Sequence, residues 1–243
     1  MGATRRLGGE DWFALGDRDL ATHVLRTDAL RRQPLSTVTR QMARNLGIAQ
    51  TVLPMSDDPV ASFVLTDRGE LAFQDYFVRF RAEPRFHSIR FAGIDAARPA
   101  PGALTAIANA DGIVICPSNP WLSIAPILAV PRLEASLRAA RRRGAPVVAV
   151  SPFIGGKAVK GPAAKIMREL GEEPTICALA KIYKGLATDL VVDHQDTGQT
   201  CPDGVSVHFT NTLMQDDATR AAVAQTVVTI IRDQRATTSE GRE

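Results

Sequence analysis

The chain has too few cysteines to build a disulfide framework. There are three in 243 residues, Cys116, Cys177 and Cys201, an odd number without metal-ligand spacing. That pattern points to a reducing compartment, and a cytoplasmic location is expected. Histidine is equally sparse: His23, His87, His194 and His208 are scattered, and no HExxH pattern occurs. No apolar run is long enough to cross a bilayer, and no signal peptide is expected. There is no basic arm with interleaved aromatics, which argues against nucleic acid as a partner. Residues 1–60 hold no GxGxxG turn, and the GxxxxGK[ST] phosphate-loop spacing is absent throughout.

What is present is ordinary in bulk and specific in detail. Apolar residues make up 45% and charged residues 23%, as in globular domains, and the length allows one α/β domain with a real core. A net charge of +3 suits an anionic small molecule without selecting one. Arg141-Arg142-Arg143 reads as the solvated end of a helix, favourable to its dipole.

The most informative stretch runs from Ser151 to Ala163. It follows the apolar run Ala145 to Val150, read as a buried strand, and precedes a helix around Lys165 to Leu170 closed by Gly171. Gly155 and Gly156 let the backbone approach a ligand closely, while Lys157 and Lys160 can meet phosphate as point charges. Strand, glycine-lysine loop and helix start together make a plausible anion cradle. A tight turn with solvated lysines is the simpler reading of the loop taken alone. A second strand, Asp111 to Cys116, leads into Pro117-Ser118-Asn119-Pro120. The two prolines force an irregular turn there, so Ser118 and Asn119 can donate to phosphate oxygens, or can simply cap the turn. Consecutive parallel strands place such loops together at the carboxyl edge of an open sheet, where ligands bind.

Helices are expected over Asp17–Arg32, stopped by Pro34, and over Ser36–Leu46, closed by Gly47. Ile48–Leu53 reads as a strand. Ser62–Thr66 and Leu71–Phe73 flank Asp67-Arg68-Gly69-Glu70 as a hairpin, and Phe86–Phe91 adds a strand. These make a β-rich insert at about 60–98 within a single domain spanning 1–243. From Pro101 onward helices and strands alternate regularly, with strands at Ile113, Val147, Asp189–Asp193 and Val205–Phe209. An amphipathic helix spans Ala218–Arg232, and the tail Thr237–Glu243 is expected to fray. The alternation predicts a Rossmann-like α/β fold with a doubly wound, mainly parallel sheet.

Five segments, in order, carry a resemblance: Leu15 to His23 (with Gly16-Asp17-Arg18-Asp19), Leu53 to Val60, Pro117-Ser118-Asn119-Pro120, Ser151 to Ala163, and Thr212-Leu213-Met214. Together they resemble the CofD family of 2-phospho-L-lactate transferases over nearly the whole chain. The resemblance implies a transferase of coenzyme F-420 biosynthesis. In that reaction the deazaflavin alcohol FO displaces GMP from a guanylyl diphosphate donor carrying phospholactate, with magnesium assisting. It also implies that the chain starts after the family's opening strand, glycine-rich loop and aspartate-rich segment, roughly 70 residues or two strand-helix units. On that basis the chain alone is expected to turn over slowly or not at all. Two positions depart from the family pattern: Cys116 replaces a glycine, and Asn211 replaces an aspartate.

Residue roles follow as expectations of the resemblance joined to the loop chemistry. Ser118, Asn119, Gly155, Gly156, Lys157 and Lys160 are assigned to the donor's phosphates and guanosine side. Arg18 is assigned to FO, against the alternative of an ion pair with Asp17 or Asp19. His23 is read as a packed helix histidine. Asp57 and Asp58 are weak magnesium candidates, with turn capping as their alternative role. Pairing into a homodimer is left open. A phosphoenolpyruvyl or phosphoglyceryl guanosine diphosphate donor is the alternative within the same chemistry. A non-catalytic nucleotide-sugar-binding regulatory protein of related fold is the alternative outside it.

Overall fold

Residues 12, 13, 15–198 and 204–240 are described in the computed structural model, with side chains through residue 237. Cys201 and residues 241–243 of the polar tail therefore lie outside the described residues. The chain divides into two compact units, Met1–Ala103 and Leu104–Glu243.

The first unit opens with α1 (Asp17–Leu30) and α2 (Leu35–Asn45), close to the expected bounds. Pro34 separates them by supplying the extended residue before α2. A three-stranded antiparallel sheet follows, with β1 (Ala61–Thr66) at its centre between β2 (Gly69–Ala72) and β3 (Phe86–Ala92). The predicted hairpin is confirmed, with Thr66 paired to Gly69 across the Asp67-Arg68 turn. The strand expected at Ile48–Leu53 does not form. Its segment is irregular, and both Ile48 and Val52 remain exposed. A strand needs a neighbour to satisfy its backbone, and this segment pairs with no strand among the described residues.

The second unit holds the parallel sheet. Its strands are β4 (Ile113–Ile115), β5 (Val147–Val150), β8 (Asp189–Asp193) and β9 (Ser206–Thr210), in that order and all parallel. The short helix α3 (Ala103–Ala108) precedes β4, and α4 (Ala125–Ala129) and α5 (Leu133–Arg142) cross from β4 to β5. Between β5 and β8 lie the two-residue strands β6 (Phe153–Ile154) and β7 (Lys157–Ala158), then α6 (Ala163–Glu169) and α7 (Ile176–Ile182). The closing helix α8 runs Asp217–Glu240, further than the apolar pattern alone indicates.

The period-two geometry of a strand sends alternate residues to opposite faces. Val147 and Ala149 of β5, with Leu190 and Val192 of β8, meet Leu137 of α5, Met167 of α6 and Leu179 of α7. Val148, Val150 and Val191 face the other way, onto Val223, Val227 and Ile230 of α8. Helices therefore cover both faces, and every residue of β5 and β8 is buried, which explains the apolar run of β5 and the Leu190-Val191-Val192 centre of β8. Among the described residues no helix is long and apolar enough to cross a membrane.

Candidate active site at the carboxyl edge of the sheet

Because β4, β5 and β8 are parallel neighbours, their carboxyl ends open side by side. The segments 116–119, 151–160 and 193–196 therefore share one edge, and 211–214 joins them after β9. The two loops read from the sequence are brought together as expected.

Asn119 is the most telling residue of the first loop. Its Oδ1 accepts from the amides of Trp121 and Leu122, both at 3.0 Å, and so caps the helical turn Pro120–Ile124. That fixes the orientation of the side-chain amide and aims Nδ2 away from the cap. Nδ2 is buried and has no hydrogen-bond partner among the described residues. An unpaired buried donor costs about 1–3 kcal/mol, so a ligand oxygen is its natural complement. Capping and binding are thus compatible in one side chain. Ser118 is half-buried beside it, with no bond to its hydroxyl among the described residues.

The second loop is more ordered than its composition suggests. It folds as a β6–β7 hairpin with Phe153 paired to Ala158 and Ile154 to Lys157. Gly155 and Gly156 form the two-residue turn with φ of 57° and 69°, the left-handed pair that such turns require. Their amides do not point into open space. Gly155 N–H donates to Asp196 Oδ2 and Gly156 N–H to Asp196 Oδ1, each at 3.1 Å. A buried carboxylate of this chain thus already takes both amides of the glycines expected on the phosphate side of the site. Lys157 and Lys160 are exposed, and neither is ion-paired among the described residues.

Two carboxylates at the end of β8 escaped the sequence reading. Besides Asp196, Asp193 is buried and accepts from Gln195 N at 3.0 Å, Thr212 N at 2.9 Å and Thr212 Oγ1 at 3.2 Å. It thereby ties the loop after β8 to the loop after β9. The signal was the polar run Asp193-His194-Gln195-Asp196 closing the strand after Leu190-Val191-Val192. Burial pushes the Asp193 carboxyl up, but these hydrogen bonds, with His194 nearby, outweigh it and hold it below the ordinary carboxylate range. A group depressed in the folded state adds stability above its unfolded pKa and loses it as pH falls through the folded value. Asp193→Asn is therefore expected to be less stable at neutral pH, with the gap to wild type closing below about pH 4. Melting temperatures across the acid range test this, and a gap of constant size down to pH 3 would remove Asp193 from the account.

The remaining assigned residues lie in the first unit. Arg18 is exposed on α1, and no ion pair joins it to Asp17 or Asp19 among the described residues. His23, expected to be packed, is exposed on the same helix, none of whose residues is buried. Asp57 accepts from the Ser36 amide at 2.5 Å and the Ser36 hydroxyl at 2.8 Å, so it caps the start of α2 from 21 residues away. Asp58 accepts from the Arg98 amide at 2.8 Å, and that contact holds its carboxyl low. The adjacent carboxylates thus diverge to separate backbone partners and do not fit a magnesium shell. Among the described residues no cluster of three histidine, cysteine or carboxylate side chains could hold a metal ion. Asn211 accepts from the Leu213 amide at 3.1 Å in a local turn.

A parallel α/β sheet with unpaired lysines and an unsatisfied amide donor at its carboxyl edge defines a protein suited to an anionic ligand. The sequence matches the family described as 2-phospho-L-lactate transferase CofD over residues 5–233. A 2-phospho-L-lactate transferase of Methanopyrus kandleri is 36% identical over 232 residues, which are 94% of this chain and 73% of that protein. A phosphoenolpyruvate transferase of Streptomyces griseus is 39% identical over 237 residues, 94% of this chain and 74% of that one. A crystal structure of a Bacillus halodurans protein superposes with a TM-score of 0.58 at 16% identity, covering 80% of this chain and 67% of its own. That likeness shows the fold. The chain belongs to the CofD family, and it is a transferase.

Proposed function

We propose that this transferase acts in the cytoplasm in coenzyme F-420 biosynthesis. In this reading it moves a phospholactyl-type group from lactyl-2-diphospho-5'-guanosine to the alcohol of FO. The FO hydroxyl oxygen bonds to the phosphorus that carries lactate, the bridging P–O bond breaks, and GMP leaves with that bridging oxygen. The hydroxyl proton passes to solvent. Such transfers depend mainly on positioning and on charge stabilisation. Asn119 Nδ2, Lys157 and Lys160 supply donors and positive charge for the diphosphate, with Ser118 beside them. The observation that carries the reading is the buried, unpartnered Nδ2 of Asn119 at the carboxyl edge of the sheet. Arg18 is kept as the proposed contact to FO. Magnesium is expected from the resemblance, and no step of the proposal runs through it.

A phosphoenolpyruvyl donor is the second reading, favoured by the name of the Streptomyces griseus relative. The two acyl groups differ by little more than a double bond, and no described side chain distinguishes them. Assaying GMP release with each donor in the presence of FO decides between them. Release with neither would sink the proposal, and FO fluorescence on titration reports acceptor binding separately. Within this reading, Lys157→Ala is expected to weaken donor binding by about 1–3 kcal/mol, the range for charge-assisted hydrogen bonds. FO binding should be unaffected. Unchanged donor affinity in that variant removes Lys157 from the site.

A further inference from the structure

The Gly155-Gly156 turn is held from two sides by groups that touch neither lysine. Asp196, only 4% exposed, takes both turn amides on its two carboxylate oxygens at 3.1 Å. From the opposite side, Arg168 of α6 donates from Nη2 to the Gly156 carbonyl at 3.2 Å. Arg168 is itself braced by Glu173, whose Oε2 lies 3.2 Å from its Nε. The turn's donors and its second acceptor are thus satisfied by charged side chains reached 40 and 12 residues away in sequence from Gly156.

A two-stranded ribbon of two residues per strand cannot hold its own shape in water. A polar group seated in a pair of left-handed glycine amides is the usual complement of such a concavity. Here a resident carboxylate fills it, so the concavity serves to fix the hairpin and leaves ligand contact to what the hairpin carries. The residue it carries next is Lys157, the first of β7. We infer that Asp196 is a positioning residue for donor binding. Its carboxylate locks the Gly155-Gly156 turn and thereby sets where Lys157 presents its ammonium group, with Arg168 as the second clamp. This rests on the reading of Lys157 as a donor-phosphate contact.

The test is a double-mutant cycle on the full chain, read as the dissociation constant for lactyl-2-diphospho-5'-guanosine. Asp196→Asn keeps the shape but turns an amide N–H2 toward one turn N–H, and donor binding is expected to weaken about tenfold. Combined with Lys157→Ala, it should cost no more than Lys157→Ala alone, because both act through one contact. FO binding should not change. Arg168→Gln, at a half-exposed position, should show the same lack of additivity with a smaller single effect. Wild-type donor affinity in Asp196→Asn, or losses that multiply with those of Lys157→Ala, would overturn the inference while leaving the donor site in place. If Lys157→Ala alone changes nothing, the donor-site reading fails and takes this inference with it.

Discussion

Replacing Asn119 by aspartate is expected to leave the fold intact and to weaken donor binding severely. The capping oxygen survives the change, so the amides of Trp121 and Leu122 keep their acceptor and the turn at Pro120 keeps its shape. What changes is the other atom. A buried donor becomes a buried carboxylate oxygen facing the place proposed for a diphosphate, and like charges brought together cost several kcal/mol. Donor affinity should fall by at least about a hundredfold, equivalent to about 2.7 kcal/mol. Asn119→Ala should fall less in binding and more in stability, since it removes the cap as well. Calorimetric titration of donor into the three proteins, with a thermal melt of each, separates the effects. An Asn119→Asp variant that binds donor as well as wild type would show that Nδ2 faces something else.

The second large effect is on stability. Leu190 sits at the middle of the sheet with no exposure, among Val147, Leu179 and Tyr183. Leu190→Ala removes three buried carbon atoms from a region closed by strand and helix on every side. A loss of about 2–5 kcal/mol is expected, or about 4–20 °C in melting temperature for a chain of this size. Val114, 43% exposed on the edge strand β4, is the control. Val114→Ala should cost under about 1 kcal/mol, as at surface positions generally. Equal losses at the two positions would mean that the sheet's core does not lie between β5, β8 and their helices.

Much of the second unit was legible because its two central strands, β5 and β8, are buried on both faces. Val147-Val148-Ala149-Val150 can be little other than a central strand, and the glycine, lysine and proline punctuation after it marks a loop. The first unit's hairpin was legible for a related reason, since Asp67 and Arg68 leave just enough chain for a tight turn. What stayed hidden depends on partners distant in sequence. Ile48–Leu53 has the residues of a strand but pairs with no strand among the described residues. The Gly155-Gly156 amides were open to phosphate in the sequence, and only the fold reveals that Asp196 arrives to occupy them. Asp57 and Asp58 were weak metal candidates beside the capping role because adjacency in sequence was the only geometry to read. In the structure one reaches back to α2 and the other across to Arg98. The extension of α8 to Glu240 was missed because its last turns are polar and carry no apolar period.

The proposed function puts the donor's diphosphate at the carboxyl edge of the sheet, between Pro117–Pro120 and the β6–β7 hairpin. A crystal structure of the chain with lactyl-2-diphospho-5'-guanosine measures this directly. The predicted result places phosphate oxygens within about 2.7–3.2 Å of both Asn119 Nδ2 and Lys157 Nζ, with Asp196 still bonded to the glycine amides. A diphosphate bound away from these two groups, or one that displaces Asp196 to take the glycine amides itself, would contradict the account.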